Sequence, residues 1–130
     1  MTGTSLARFL LVGGSGVVVN SCALVALHQW AGVPLLVASP LAVELSIIHN
    51  FVWNDRWTFR NRARSRPQLA RFARFNLVSL IGLLITTSIT VLLVEITGLQ
   101  YLLSNLCGVA LATLYNFSAN VHWTWQASEA

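Results

Sequence analysis

Few side chains in this 130-residue sequence can do chemistry, and most of those that can stand in or beside apolar runs. Glu44 is the sharpest: a carboxyl near the middle of an apolar segment, four residues after Pro40. A charge at that depth is expensive in lipid, and such residues face a bundle interior or a wet cavity. It suits a proton, a cation or a hydroxyl-rich substrate; the competing reading is a protonated carboxyl tied to a neighbouring helix. Gly13, Gly16 and Asn20 share one face of the first run, where small residues let helix backbones approach and Asn20 could hydrogen-bond across the contact. Ser79, Gly82, Thr86 and Thr90 give the third run a similar face. Ser46, Asn50 and Asn54 recur every four residues along one helical face, and Asn116 and Asn120 do the same later. An amide in lipid costs desolvation unless it finds a partner. Arg56, Arg60, Arg71 and Arg74 would ring the mouth of such a face, and a guanidinium fork suits phosphate. The candidate substrate-binding set is therefore Asn20, Glu44, Asn50, Asn54, Arg56, Arg60, Arg71, Arg74, Asn116 and Asn120. Its chemistry would be capture of the phosphate of a lipid-linked substrate. The architectural alternative is that Asn ties helix ends together, Trp anchors depth and Arg fixes orientation.

Nothing resembling a catalytic centre accompanies this set. His-Glu-x-x-His is absent, and Gly13-Gly14-Ser15-Gly16 lies inside an apolar run with no strand before it, so it is no dinucleotide loop. Cys22 and Cys107 both lie in apolar runs; they are too few for a zinc site and read as small packing residues. The expectation is a protein that is not an enzyme and holds neither metal nor cofactor. All eight basic residues are Arg, and seven of them fall within residues 56–74. The formal charge of +4 is compatible with nucleic acid. Clustering beside apolar runs reads instead as the orientation signal of a membrane protein.

The elements that must position these residues follow from composition. Over half the residues are hydrophobic and only 9% are charged, against about a quarter in soluble domains. Four apolar runs, from about Phe9 to Trp30, Leu35 to Asn54, Phe75 to Ile96 and Tyr101 to Val121, are each about 20 residues, the length that crosses a hydrocarbon core of roughly 30 Å as a helix. Residues 1–8 read as a short mobile segment, Gln68–Phe75 as an amphipathic segment at the membrane surface leading into the third span, and Arg60–Pro67 as a solvated loop. Ala31-Gly32-Val33-Pro34 and Thr97-Gly98-Leu99-Gln100 read as turns and carry no basic residue. The positive-inside rule then places both termini and the Arg-rich loop, about 55–71, in the cytoplasm. Trp57, Phe59, Trp123 and Trp125 read as an aromatic belt at the interface.

The chain is also doubled. His49-Asn50-Phe51-Val52-Trp53-Asn54-Asp55-Arg56-Trp57-Thr58-Phe59 returns 66 residues later, without a gap, as Tyr115-Asn116-Phe117-Ser118-Ala119-Asn120-Val121-His122-Trp123-Thr124-Trp125. At the same offset Arg8-Phe9 matches Arg74-Phe75 and Gly16 matches Gly82. Internal repeats of this kind dictate architecture. The expected fold is an all-α membrane protein: one four-helix domain over 1–130, with four transmembrane helices from two tandem two-helix repeats, about 8–60 and 74–126. With two spans per repeat, the halves run in parallel orientation about an axis along the membrane normal. The copies differ where Glu44 meets Ala110 and Arg56 meets His122.

These residues resemble the GtrA-like family of small four-span bacterial membrane proteins. The likeness covers residues 6 to 126 and rests on Arg8-Phe9-Leu10-Leu11-Val12-Gly13-Gly14 opening the first span. It rests also on Asn50-Phe51-x-x-Asn54-x-Arg56-Trp57-Thr58-Phe59 closing the second and on Asn116-Phe117…Trp123-Thr124-Trp125 closing the fourth. His122 departs from the expected Arg. The resemblance implies a multi-pass protein of the bacterial cytoplasmic (inner) membrane that assists flipping of a polyprenyl-phosphate-linked sugar for cell-surface polysaccharide synthesis. The alternative is a non-transporting anchor or scaffold for a polyprenyl-phosphate glycosyltransferase, expected to be a separate protein. A small proton-coupled drug exporter ranks third, because that class places its carboxylate in the first helix. Four helices make a thin bundle, so the expected path is a groove open to lipid or one completed in a homo-oligomer. The expected partners are the polyprenyl-phosphate sugar lipid, membrane lipids and that glycosyltransferase, with no nucleic acid.

Overall fold

The computed structural model describes residues 3–62 and 66–126; Arg64 of the Arg-rich loop lies outside them. All regular elements among the described residues are helical. Helix α1 covers Gly3–Leu24 and runs on as a π-helical segment, Val25–Trp30. Helix α2 covers Leu35–Trp53 and ends in a π-helical turn, Asn54–Thr58. Helix α3 covers Gln68–Thr97, and α4 covers Tyr101–Ala119 with a closing π-helical turn at Asn120–Thr124. The four continuous helical runs are 28, 24, 30 and 24 residues long. At 1.5 Å per residue each exceeds a hydrocarbon core of roughly 30 Å. Their outward faces are apolar: Leu36 is 90% and Leu84 68% exposed, a cost in water that lipid removes. The chain is an all-helical, multi-pass membrane protein.

Two sequence expectations need correction. Residues 1–8 are not a mobile lead as far as they are described, since α1 begins at Gly3 and carries Arg8 within it. No proline interrupts this stretch, and burial of Phe9 anchors the helix. Gln68–Phe75 forms the first turns of α3 itself. Its polarity is also not as expected: Leu69 is exposed while Arg71 is buried. The Arg71 Nη1 donates to the Arg66 carbonyl at 2.6 Å, which helps to satisfy the buried guanidinium. Helix α2 continues through Pro40, which stands at its exposed face.

The chain divides into two compact units, Met1–Asn61 and Arg62–Ala130. In the first, α1 and α2 form a hairpin across the turn at residues 31–34. Gly32 sits there at φ +70°, a conformation that favours glycine. The buried seam is narrow, made by Phe9, Val12 and Gly16 on α1 and by Ala38, Ala42, Ile47 and Phe51 on α2. In the second unit α3 and α4 form the same kind of hairpin, with Gly98 at φ +68° in the turn. Its seam is made by Phe75, Val78 and Gly82 on α3 and by Ser104, Gly108 and Ala112 on α4. Small residues on α2 and α4 let the backbones close. A Cβ added to Gly108 would lie 2.7 Å from the Thr86 carbonyl oxygen. Of the small-residue face expected on α1, Gly16 is buried at the contact, whereas Gly13 has nothing within 4 Å of an added Cβ.

Candidate functional site

The repeated eleven-residue motif builds the end of each hairpin. In the first unit the Asn50 amide lies over Gly16, where a Cβ would meet Nδ2 at 2.6 Å and Cγ at 2.8 Å. The Asn50 oxygen has no conventional hydrogen-bond partner. It sits where the glycine Cα–H points, a weak Cα–H···O contact. Ser46 Oγ adds a bond to the Gly16 carbonyl at 2.8 Å. Asn54 and Thr58 are buried one and two turns further on. The chain there widens into a π turn that closes with Phe59 N–H donating to the Asn54 carbonyl at 2.8 Å. Phe59 folds back onto Phe9, ring centres 6.3 Å apart. Arg8 stacks over Trp57 at 5.3 Å and reaches its carbonyl at 3.5 Å.

The second unit shares several of these contacts, but Ala112 stands where Ser46 makes its bond, and Thr58 Oγ1 and Asn54 Oδ1 lack the bond that their counterparts make. Asn116 lies over Gly82, with Nδ2 2.8 Å from an added Cβ. Asn120 and Thr124 are buried, and Thr124 Oγ1 donates to Asn120 Oδ1 at 2.7 Å. Trp125 N–H donates to the Asn120 carbonyl at 2.8 Å, and the Trp125 ring meets Phe75 edge-on at 5.6 Å. Arg74 stacks over Trp123 at 4.7 Å and donates to its carbonyl at 3.1 Å.

These contacts sort the candidate residues. Asn50 and Asn116 each pack on a glycine within their own hairpin, Asn54 and Asn120 are buried at the π turns, and Arg71 and Arg74 hold the carbonyls of Arg66 before α3 and of Trp123 in the closing turn. The expected aromatic belt is only partly correct: Phe59 and Trp125 are each 1% exposed, because they close the core under the π turns. Trp57 and Trp123 remain nearer the surface. Cys22 and Cys107 are free thiols on exposed faces rather than packing residues, since the seam takes Gly, Ala and Ser instead. Asn20 and Glu44 are both half-buried. The antiparallel register that sets residue 16 against 50 and 15 against 49 puts Asn20 level with Glu44 on the facing helix. Arg60 is exposed beyond the end of the π turn.

Arg56 is different. It is exposed, and no hydrogen bond or ion pair holds it among the described residues. It borders an open groove of about 430 Å³ on the first hairpin, lined also by Leu11, Val12, Ser15, Trp53 and Trp57. Ser15 Oγ donates to the Val12 carbonyl at 2.6 Å and lies 2.9 Å from His49 Nε2. With its one hydrogen spent on the carbonyl, Ser15 accepts from the imidazole N–H. Sequence reading missed Leu11, Ser15, Trp53 and His49 as a group. The signal was there in the comparison of halves, because their counterparts are Leu77, Ile81, Ala119 and Tyr115. No cluster of three or more His, Cys, Asp or Glu side chains that would hold a metal occurs among the described residues.

Comparison with known proteins agrees with this architecture. The chain is 35% identical over 120 residues to a dolichol-phosphate mannosyltransferase of Pyrococcus furiosus. That match takes in 92% of this chain but 33% of the mannosyltransferase, so the chain spans about a third of that relative's length. Residues 8–125 match the family described as GtrA/DPMS, transmembrane domain, and the chain belongs to that family.

Proposed function

We propose that the protein assists translocation of a polyprenyl-phosphate-linked sugar across the bacterial cytoplasmic membrane, for cell-surface polysaccharide synthesis. The observation that carries this reading is the likeness to a protein named for a dolichol phosphate, a polyprenyl-type lipid phosphate, over nearly the whole of this chain. The free guanidinium of Arg56 beside an apolar groove has the chemistry that such a lipid needs. In this reading both termini and the Arg-rich loop face the cytoplasm, following the distribution of Arg. The sugar phosphate is gathered at Arg56 and Arg60, and the sugar passes the level of Asn20 and Glu44 while the polyprenyl tail stays in lipid. The chemistry of sugar transfer belongs to a partner glycosyltransferase.

A second reading has its own support. This chain aligns with one third of a sugar transferase, which fits a membrane anchor that holds such an enzyme at the lipid surface. Purified protein in vesicles separates the two. Flipping of a fluorescent polyprenyl-phosphate sugar should accelerate with wild-type protein, and should slow with Arg56→Ala and Glu44→Gln. Wild-type vesicles that do not flip, together with a stable glycosyltransferase complex, would replace the first reading with the second.

A further inference from the structure

We propose that the groove of the first hairpin seats the phosphate end of one polyprenyl phosphate per chain. This rests on the functional reading above and assigns its site. The groove brings apolar walls and a cation together. Leu11, Val12, Trp53 and Trp57 give it apolar walls, and Arg56 sets one guanidinium at its edge. Its volume of about 430 Å³ lies in the range of small-ligand sites. One groove and one cation match a single chain ending in a phosphate; a diacyl lipid would leave its second chain without a wall.

Among the residues that line the groove, the phosphate contact falls to Arg56. Arg8 is engaged with Trp57, and the Ser15 hydroxyl has donated its hydrogen to Val12. Arg56 alone among the lining residues offers a full set of unspent donors, and forked N–H groups are suited to phosphate oxygens. Trp57, held by Arg8, forms a rigid wall for the first isoprene units.

The second hairpin supports the assignment by contrast. At the matching positions Ile81 replaces Ser15, Ala119 replaces Trp53 and His122 replaces Arg56. An indole wall and the guanidinium are thereby lost. The His122 ring is moreover turned back on its own helix, with Nδ1 bonded to the Ser118 carbonyl at 2.7 Å. The site therefore belongs to the first hairpin only.

Native mass spectrometry of the full chain in detergent, with undecaprenyl phosphate as probe, tests this. Wild type is expected to hold one lipid per chain. Arg56→His and Trp53→Ala, each taken from the matching position of the other hairpin, should weaken binding by about tenfold or more and by a few fold. The alcohol undecaprenol should bind weakly. Grafting Ile81→Ser, Ala119→Trp and His122→Arg together should raise the count to two, a gain that misfolding cannot imitate. Unchanged binding in both loss variants overturns the groove assignment while leaving the functional reading in place. Wild type that binds no undecaprenyl phosphate overturns both. Equal displacement by dioleoylphosphatidic acid overturns the choice of a polyprenyl chain.

Discussion

The amide of Asn50 fills the space that Gly16 leaves by having no side chain. Neither residue is free to change alone. A methyl group at Gly16 would overlap the amide, so Gly16→Ala should force the hairpin apart and cost about 1–3 kcal/mol, the usual range for overpacking. Asn50→Ala in the same chain removes the obstruction and should recover part of the loss. The double-mutant coupling is expected at roughly 0.5–3 kcal/mol, read from denaturant or thermal unfolding in micelles. Additive losses would mean that the two residues do not share the contact. Gly82 and Asn116 should behave alike.

Arg74 over Trp123 gives a second expectation. The guanidinium stacks on the indole at 4.7 Å and donates to the tryptophan carbonyl at 3.1 Å. A cation over an aromatic face contributes about 0.5–2 kcal/mol, depending on desolvation. Arg74→Ala should lower stability by that order. Arg74→Lys should recover only part, since an ammonium cannot stack as a plane and still reach the carbonyl. Full rescue by Lys in a thermal unfolding series would show that charge alone matters there.

Buried polarity supplies a third. Thr124 and Asn120 are 1% and 0% exposed and share a hydrogen bond of 2.7 Å. Thr124→Val keeps the shape but orphans the amide oxygen, at a cost of about 1–3 kcal/mol. Thr124→Ser keeps the hydroxyl and should stay nearer wild type. Equal stability of the Val and Ser variants would refute a structural role for this bond.

Much of the fold could be read from sequence because apolar run length and glycine-proline turns act locally. Four spans and the turns around Gly32 and Gly98 all survive in the structure. The site was harder. Asn50 and Asn54 have the spacing of a polar path, yet one lies over a glycine and the other is buried beneath a π turn. Periodicity shows which face a residue takes and not what stands opposite. The π turns shift the register after Asn54 and Asn120, which is why Phe59 and Trp125 turn inward although their neighbours Trp57 and Trp123 lie nearer the surface. Leu11, Ser15 and Trp53 meet at one groove through tertiary contact between α1 and α2, and no motif brings them together along the chain.

The two arginines of the repeat ends should therefore fail in different ways. Arg74 is engaged with its own hairpin, so Arg74→Ala should reduce the yield of folded protein and lower its melting temperature. Translocation per folded molecule should change little. Arg56 is held by nothing among the described residues, so Arg56→Ala should leave stability within about 0.5 kcal/mol, as for most exposed substitutions. Losing its charge-assisted bonds to a lipid phosphate, at about 1.5–3 kcal/mol, should slow flipping per folded molecule by roughly ten- to a hundredfold. Measuring melting and vesicle flipping on the same preparations separates the two effects. If Arg56→Ala melts early and flips normally once corrected for folding, Arg56 is a structural residue like Arg74, and the phosphate must be held elsewhere.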